Sequence, residues 1–152
     1  MKNYLVVVDL DGTLCDSSHR VHFLEQEPKD WDSFYAGIAD DPINWHIDKL
    51  VKCCYYEEDS QYDLVFLTGR SDKHRKITED WLFEHGYYSD MYDLFMRTTN
   101  DWRPDHIVKL ELAKANNITP DNVEFILEDR NQVVNMWRTE GYKCLQVSEG
   151  NF

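Results

Sequence analysis

The sequence predicts an α/β domain built on a five-stranded, mostly parallel sheet with helices on both faces. Three observations lead there. Short runs rich in Val, Ile and Leu alternate with segments of helical spacing, which implies parallel strands joined by right-handed crossovers. Two of the runs, Tyr4–Leu10 and Val123–Leu127, are almost continuously apolar, as in strands buried on both faces, and each ends in acids. A chain of 152 residues favours one domain, spanning 1–152, and buries enough surface to support such a sheet.

In chain order, Tyr4-Leu-Val-Val-Val-Asp-Leu10 reads as a central strand whose carboxyl end carries Asp9, Asp11 and Gly12. Residues 15–42 are polar and aromatic, broken by Pro28, Gly37 and Pro42, and read as a small flap or cap with short helical pieces near 18–26 and 30–37. Ile43, Ile47, Leu50, Val51 and Cys54 repeat at helical spacing to about Glu57. Tyr62–Thr68 is the next strand, with Gly69-Arg70 behind it. Asp72 is the expected N-cap of a helix to about His85, stopped by Gly86. A short strand is expected over Met91–Met96, then a helix from Pro104 to about Asn116. Val123–Leu127 runs into Glu128-Asp129. A helix from Gln132 to Glu140 stops at Gly141, and Tyr142–Val147 closes the sheet.

Composition narrows the function. With 16 Lys+Arg against 29 Asp+Glu the net charge is −13, which excludes a broadly basic nucleic-acid surface and so any extended duplex binding. The basic residues that exist concentrate in Arg70–Lys76 and Arg97–Lys109, beside the strand ends. They are expected to ring the cleft mouth, joined by Arg20 of the flap, with Arg97 and Arg103 as candidate substrate-binding groups. Cys15, Cys53, Cys54 and Cys144 form no CxxC pair and read as buried free thiols of a cytoplasmic protein. No apolar stretch approaches the roughly 18 residues that span a bilayer. His19 and His22 lie three apart without a third ligand and read as flap residues. Trp31, Phe34, Tyr35 and Trp45 are expected to pack the flap onto the core, Trp137 to lie in the core, and Glu57-Glu58-Asp59 to lie on the surface.

Ligands of open α/β sheets bind outside the carboxyl ends of the strands. Asp9–Thr13, Thr68–Arg70 and Glu128–Asp129 all fall there, and Lys109 reaches the same cleft from a helix. Carboxylates, a hydroxyl and a lysine gathered at one point suit phosphoryl transfer. One carboxylate attacks phosphorus, a second moves protons, and cations hold the phosphate oxygens. Several acids sharing a site call for a hard cation, and Mg²⁺ is the expected partner. Arg70 reads either as a phosphate ligand or as a structural ion pair.

At these residues the chain resembles the haloacid dehalogenase-like (HAD) superfamily of phosphatases, whose domains have a Rossmann-like fold. Asp9-Leu-Asp11-Gly12-Thr13 is similar to its DxDGT motif, Thr68-Gly69-Arg70 to its second, Lys109 to its third and Glu128-Asp129 to its fourth. Arg103-Pro-Asp-His-Ile-Val-Lys109, Glu128–Arg138, Gly141–Val147 and Gly150-Asn-Phe152 further resemble the 3′-phosphatase domain of phage-type polynucleotide kinase–phosphatases. No GxxxxGK[ST] occurs, so a stand-alone phosphatase domain is expected.

The resemblance implies that Asp9 is nucleophile and Mg²⁺ ligand, and that Asp11 is general acid/base and lends the metal its backbone carbonyl. It implies that Thr13, Thr68, Gly69, Arg70 and Lys109 bind the phosphate and that Asp129 completes the metal shell. Glu128, where an aspartate is expected, reaches the metal through water. A phosphorylated nucleotide or nucleic-acid end is the expected substrate. The alternatives are a phosphatase for mononucleotides or other small esters, and a catalytically silent binding domain.

Overall fold

β-branched and aromatic runs form five strands: β1 (Tyr4–Val8), β2 (Tyr62–Ser71), β3 (Tyr92–Arg97), β4 (Val123–Arg130) and β5 (Cys144–Gly150). In this computed structural model, which describes residues 3–56 and 61–151, they pair in the order β3-β2-β1-β4-β5, and every pairing is parallel. The reason lies in β1. Val6 and Val8 join one buried cluster with Leu14, Ile38, Phe66, Trp81 and Leu82. Val7 joins the opposite one with Val65, Leu67, Ile126 and Trp137. A strand apolar at successive positions has no face to offer water, so it takes the centre of a sheet covered on both sides.

Among the described residues the α-helices are α1 (Trp31–Ala36), in the flap, and α2 (Trp45–Tyr55), α3 (Arg75–Glu84), α4 (Asp105–Ala115) and α5 (Asn131–Thr139), which cover the sheet. Among the described residues, no helix is long and apolar enough to cross a membrane. Trp137 lies in the core as expected, edge-on to Tyr142 at 5.0 Å between centroids. Cys15 and Cys144 are buried as expected, but Cys53 is exposed and Cys54 is half-buried. The acidic run Glu57-Glu58-Asp59, the expected end of the second helix and Phe152 lie outside the described residues.

Several local expectations change. The stretch near 18–26 is a 3-10 helix, Ser18–Leu24, and α1 is short, with Asp30 accepting the Ser33 N–H at 3.0 Å. Asp72 does not cap α3. It begins a 3-10 turn, and its carboxylate accepts the Thr99 N–H at 3.0 Å, tying that turn to the β3–α4 connection. Trp45 opens α2 at 56% exposure, apart from the Trp31, Phe34 and Tyr35 cluster. β2 and β4 outrun their apolar cores, and each breaks register near its end, between Thr68 and Ser71 and between Glu128 and Arg130. Such irregularities re-aim side chains at the rim of a sheet. Here they fall on the residues that the motifs single out.

Candidate active site

The carboxyl ends of β1 and β4 converge on one buried ammonium group. Lys109 Nζ, from the second turn of α4, donates to Asp9 Oδ1 and to Glu128 Oε2, both at 2.7 Å. Glu128 is turned inward and held there, because its Oε1 accepts the backbone N–H groups of Asp129 at 3.2 Å and Arg130 at 3.3 Å. The Thr13 hydroxyl stands between Asp9 Oδ2, at 3.2 Å, and Asp129 Oδ1, at 3.3 Å. Asp129 fits only because residue 12 is glycine. Gly12 has φ +81°, and a Cβ there would lie 2.2 Å from Asp129 Oδ2. At Gly69 a Cβ would lie 2.1 Å from Asp105 Oδ1, so that carboxylate packs against bare backbone there.

Carboxylate oxygens of Asp9, Glu128 and Asp129 lie within 4.8 Å of one another, and all three residues are buried. Lys109 pairs with Asp9 and Glu128, one ammonium set against three carboxyl groups. The titration of the acids registers that excess. Burial, then the Glu128 carboxylate, push Asp9 up to about 8 from 3.8, against the pull of Lys109. Burial and Asp9 push Asp129 up to about 6. Burial also raises Glu128, with Lys109 opposing. Burial alone would neutralise Lys109, but Asp105, Asp9 and Glu128 hold it charged. Buried hard oxygens short of positive charge are a fitting site for a divalent cation.

The sign of the pH effect follows. Without metal, folded Asp9 and Asp129 keep protons that the unfolded chain releases near pH 3.8. Their contribution to stability is therefore full below that pH and is lost as pH rises through about 6 and then about 8. The difference in melting temperature between Asp9→Asn and the metal-free wild type is expected to grow in favour of the variant from about pH 5 to pH 8. A difference that does not change with pH would refute the excess charge.

Asp11 belongs to a second cluster. Arg70 grips its carboxylate in two places, Nε to Oδ2 at 2.9 Å and Nη2 to Oδ1 at 2.6 Å, and Arg20 adds Nη2 to Oδ1 at 2.5 Å. Both arginines are buried, and both also donate to Asp41, which is buried as well. Burial would raise the Asp11 carboxyl, but the two guanidinium groups outweigh it and hold it well below the usual range. Arg20 lies flat on Phe34, 4.2 Å from the ring centroid. His19 Nε2 meets Asp41 Oδ1 at 2.8 Å within the flap, and Arg20 on Asp11 and Asp41 on Arg70 tie the flap to the core. Thr68 is buried next to this cluster, its Oγ1 accepting the Arg70 N–H at 3.2 Å.

The structure thus brings together Asp9, Thr13, Glu128, Asp129 and Lys109, with Asp11, Thr68, Gly69 and Arg70 adjoining. It gives the expected basic rim another arrangement. Arg20 and Arg70 are spent on Asp11 and Asp41. Arg97 donates to the carbonyls of Gly69 at 2.8 Å, Asp101 at 3.1 Å and Arg103 at 2.7 Å, and to Asp105 Oδ1 at 3.0 Å. Arg103 forks onto Asp101 and Glu111. Lys73, Arg75 and Lys76 sit beside Asp32, Glu79 and Asp80. In so acidic a chain each of these cations finds a carboxylate nearby.

Sequence reasoning missed Asp105 and Asp41. Asp105 Oδ2 is 3.5 Å from Lys109 Nζ, and the i,i+4 spacing of the two on a helix was a readable signal. Nothing in the sequence marks Asp41.

A parallel sheet of this order, with an acid-tipped central strand facing a buried lysine, defines a phosphatase of the haloacid dehalogenase class. Within it, the chain belongs to the family of the polynucleotide kinase PNKP phosphatase domain, whose model matches residues 3–152. It is 30% identical over 133 residues to a "Putative bifunctional polynucleotide kinase/RNA ligase" of Autographa californica nuclear polyhedrosis virus, covering 88% of this chain and 17% of the viral protein. A chain in the structure of the Pnkp1/Rnl/Hen1 RNA repair complex superposes with a TM-score of 0.77 at 33% identity, over 99% of this chain and 44% of its own length. The chain therefore spans less than half of either relative. A haloacid dehalogenase-like hydrolase from Streptococcus pneumoniae, 16% identical with a TM-score of 0.63 over 95% of this chain and 84% of its own, shares the fold.

Proposed function

We propose that this chain removes the 3′-phosphate from a nucleic-acid end, through an acyl phosphate formed on Asp9 and with the help of Mg²⁺. The observation that carries the chemistry is the placement of Asp9, a buried carboxylate in contact with Lys109 and Thr13 and within reach of Asp129. The nucleic-acid end is supported by the family of the chain and by the polynucleotide and RNA-repair proteins it is similar to.

Asp9 attacks phosphorus, the bond from phosphorus to the ester oxygen breaks, and that oxygen takes a proton from Asp11. Water then attacks the aspartyl phosphate and gives its proton back to Asp11. The bond from phosphorus to Asp9 breaks, and inorganic phosphate leaves. Asp11 ends the cycle protonated, as the next one requires. In the free enzyme Arg20 and Arg70 hold Asp11 ionised, so before the first turnover it takes a proton from water as the substrate's leaving oxygen displaces that pairing. Lys109 and the Thr68 hydroxyl take the phosphate oxygens as their charge grows. Mg²⁺ would be held by Asp9, Asp129 and the Asp11 carbonyl, and would supply positive charge against the phosphate. Glu128, already bound to Lys109 and two backbone N–H groups, fits an indirect place beside it.

The net charge of −13 and the paired rim cations favour a second reading, hydrolysis of mononucleotides or other small esters. A substrate panel with Mg²⁺ decides between them. Short 3′-phosphorylated oligonucleotides are expected to give a higher kcat/KM than nucleoside 3′- or 5′-monophosphates and sugar phosphates, and a chelator is expected to abolish turnover. Equal or better use of the small esters favours the second reading, and turnover that persists with chelator removes the metal.

A further inference from the structure

We propose that Trp102 is a stacking platform for the nucleobase of the substrate's terminal nucleotide. This rests on the reading of the substrate as a nucleotide-bearing phosphate.

Trp102 lies in the connection between β3 and α4 and is 77% exposed. Its neighbours are anything but loose. The Asp101 N–H donates to the Thr98 carbonyl at 3.1 Å, and Asn100 takes the left-handed conformation at φ 67°. Asp101 Oδ1 accepts the Arg103 N–H at 3.1 Å and Nε at 3.0 Å. The two residues flanking Trp102 present their carbonyls to one guanidinium, that of Arg97. The same group donates to Asp105, whose other oxygen lies 3.5 Å from Lys109 Nζ. A short chain of polar contacts thus fixes the Trp102 backbone relative to the lysine proposed to hold the phosphate. A group held in place before binding loses little freedom when a ligand arrives.

The indole itself is unspent. Trp31 stacks on Tyr35 at 5.9 Å, Tyr35 on His74 at 4.3 Å, and Trp45 lies against His46 at 3.7 Å. Among the described residues, no ring and no cation covers Trp102. Both arginines of the loop are already engaged, Arg103 by Asp101 and Glu111 and Arg97 by carbonyls and Asp105. What remains is a bare π-face among polar residues, joined by that chain of contacts to the lysine proposed to hold the phosphate. Proteins use that combination to stack a base without reading its identity.

The test compares wild type, Trp102→Ala and Trp102→Phe, with Mg²⁺, on a 3′-phosphorylated oligonucleotide and on the same strand abasic at its terminal nucleotide. Trp102→Ala is expected to raise KM about tenfold on the base-bearing strand, the change for losing one stacked base. Its kcat on that strand, and both constants on the abasic strand, are expected to stay at wild-type values. Trp102→Phe is expected to recover most of the loss. An unchanged KM on the base-bearing strand, or the same rise on the abasic one, overturns the proposal. Failure of the 3′-end reading looks different, as a wild type inactive on oligonucleotides but active on nucleoside monophosphates. Nucleoside monophosphate against ribose phosphate then supplies the same base contrast for Trp102→Ala. A wild type that hydrolyses only esters without a base overturns both.

Discussion

Asp9→Asn is expected to lower turnover by on the order of 10⁴-fold or more while the protein stays folded. Asparagine keeps the shape of the side chain and removes the attacking charge. Folding survives because the metal-free site already favours an uncharged group here, with Asp9 pushed up to about 8 by burial and by Glu128. Lys109 keeps Glu128 as a partner at 2.7 Å, so no buried ammonium is orphaned. Steady-state kinetics on the best substrate of the panel, with circular dichroism on the same sample, provide the check. Activity near wild type would end the covalent reading.

Lys109→Met is the other change with a large expected effect, and it acts on stability as well as turnover. The ammonium group lies within 3.5 Å of Asp9, Glu128 and Asp105, all on the inner side of the sheet end. Methionine fills similar space but leaves these carboxylates uncompensated. Removing one partner from a buried ionic cluster typically costs about 3–5 kcal/mol. The loss should grow with pH up to about 8, as Asp9 gives up its proton. Urea unfolding without metal measures it, and added Mg²⁺ is expected to restore part of the stability. Turnover is expected to fall at least about 10²-fold, the usual effect of losing one group that stabilises developing charge. A variant within about 1 kcal/mol of wild type at pH 8 would show that Lys109 does not hold these acids.

Much of this was legible in the chain, for a physical reason. β1 and β4 announce themselves because an apolar run buried on both faces has no room for charge until it leaves the sheet. Acids at its end therefore mark the ligand-binding edge. That logic reached Asp9, Asp11, Glu128 and Asp129 without any tertiary information. The partners of those acids were less accessible. Arg70 could be placed next to Thr68, but its choice of Asp11, 59 residues away, depends on how the flap closes over the sheet. Arg20 and Asp41 lie 21 residues apart in a segment of short 3-10 turns that has no period to read. Clustered Lys and Arg suggested a basic rim, because spacing reveals charge but not pairing. Arg97 shows the consequence, since it binds three carbonyls and Asp105 instead of facing outward. Asp72 failed as a cap because Thr99, brought in by β3, offered its carboxylate another donor.

The proposed mechanism turns on a covalent bond between Asp9 and phosphorus, and one measurement tests that bond directly. The enzyme is mixed with substrate and Mg²⁺, quenched in acid during turnover and treated with sodium borohydride, which reduces an acyl phosphate to the alcohol. Peptide mass spectrometry then reads residue 9. Homoserine at position 9 in the wild type, and its absence in Asp9→Asn, is the predicted result. An unmodified Asp9 in every quenched sample of an enzyme that is demonstrably turning over, or homoserine at another aspartate, would contradict it.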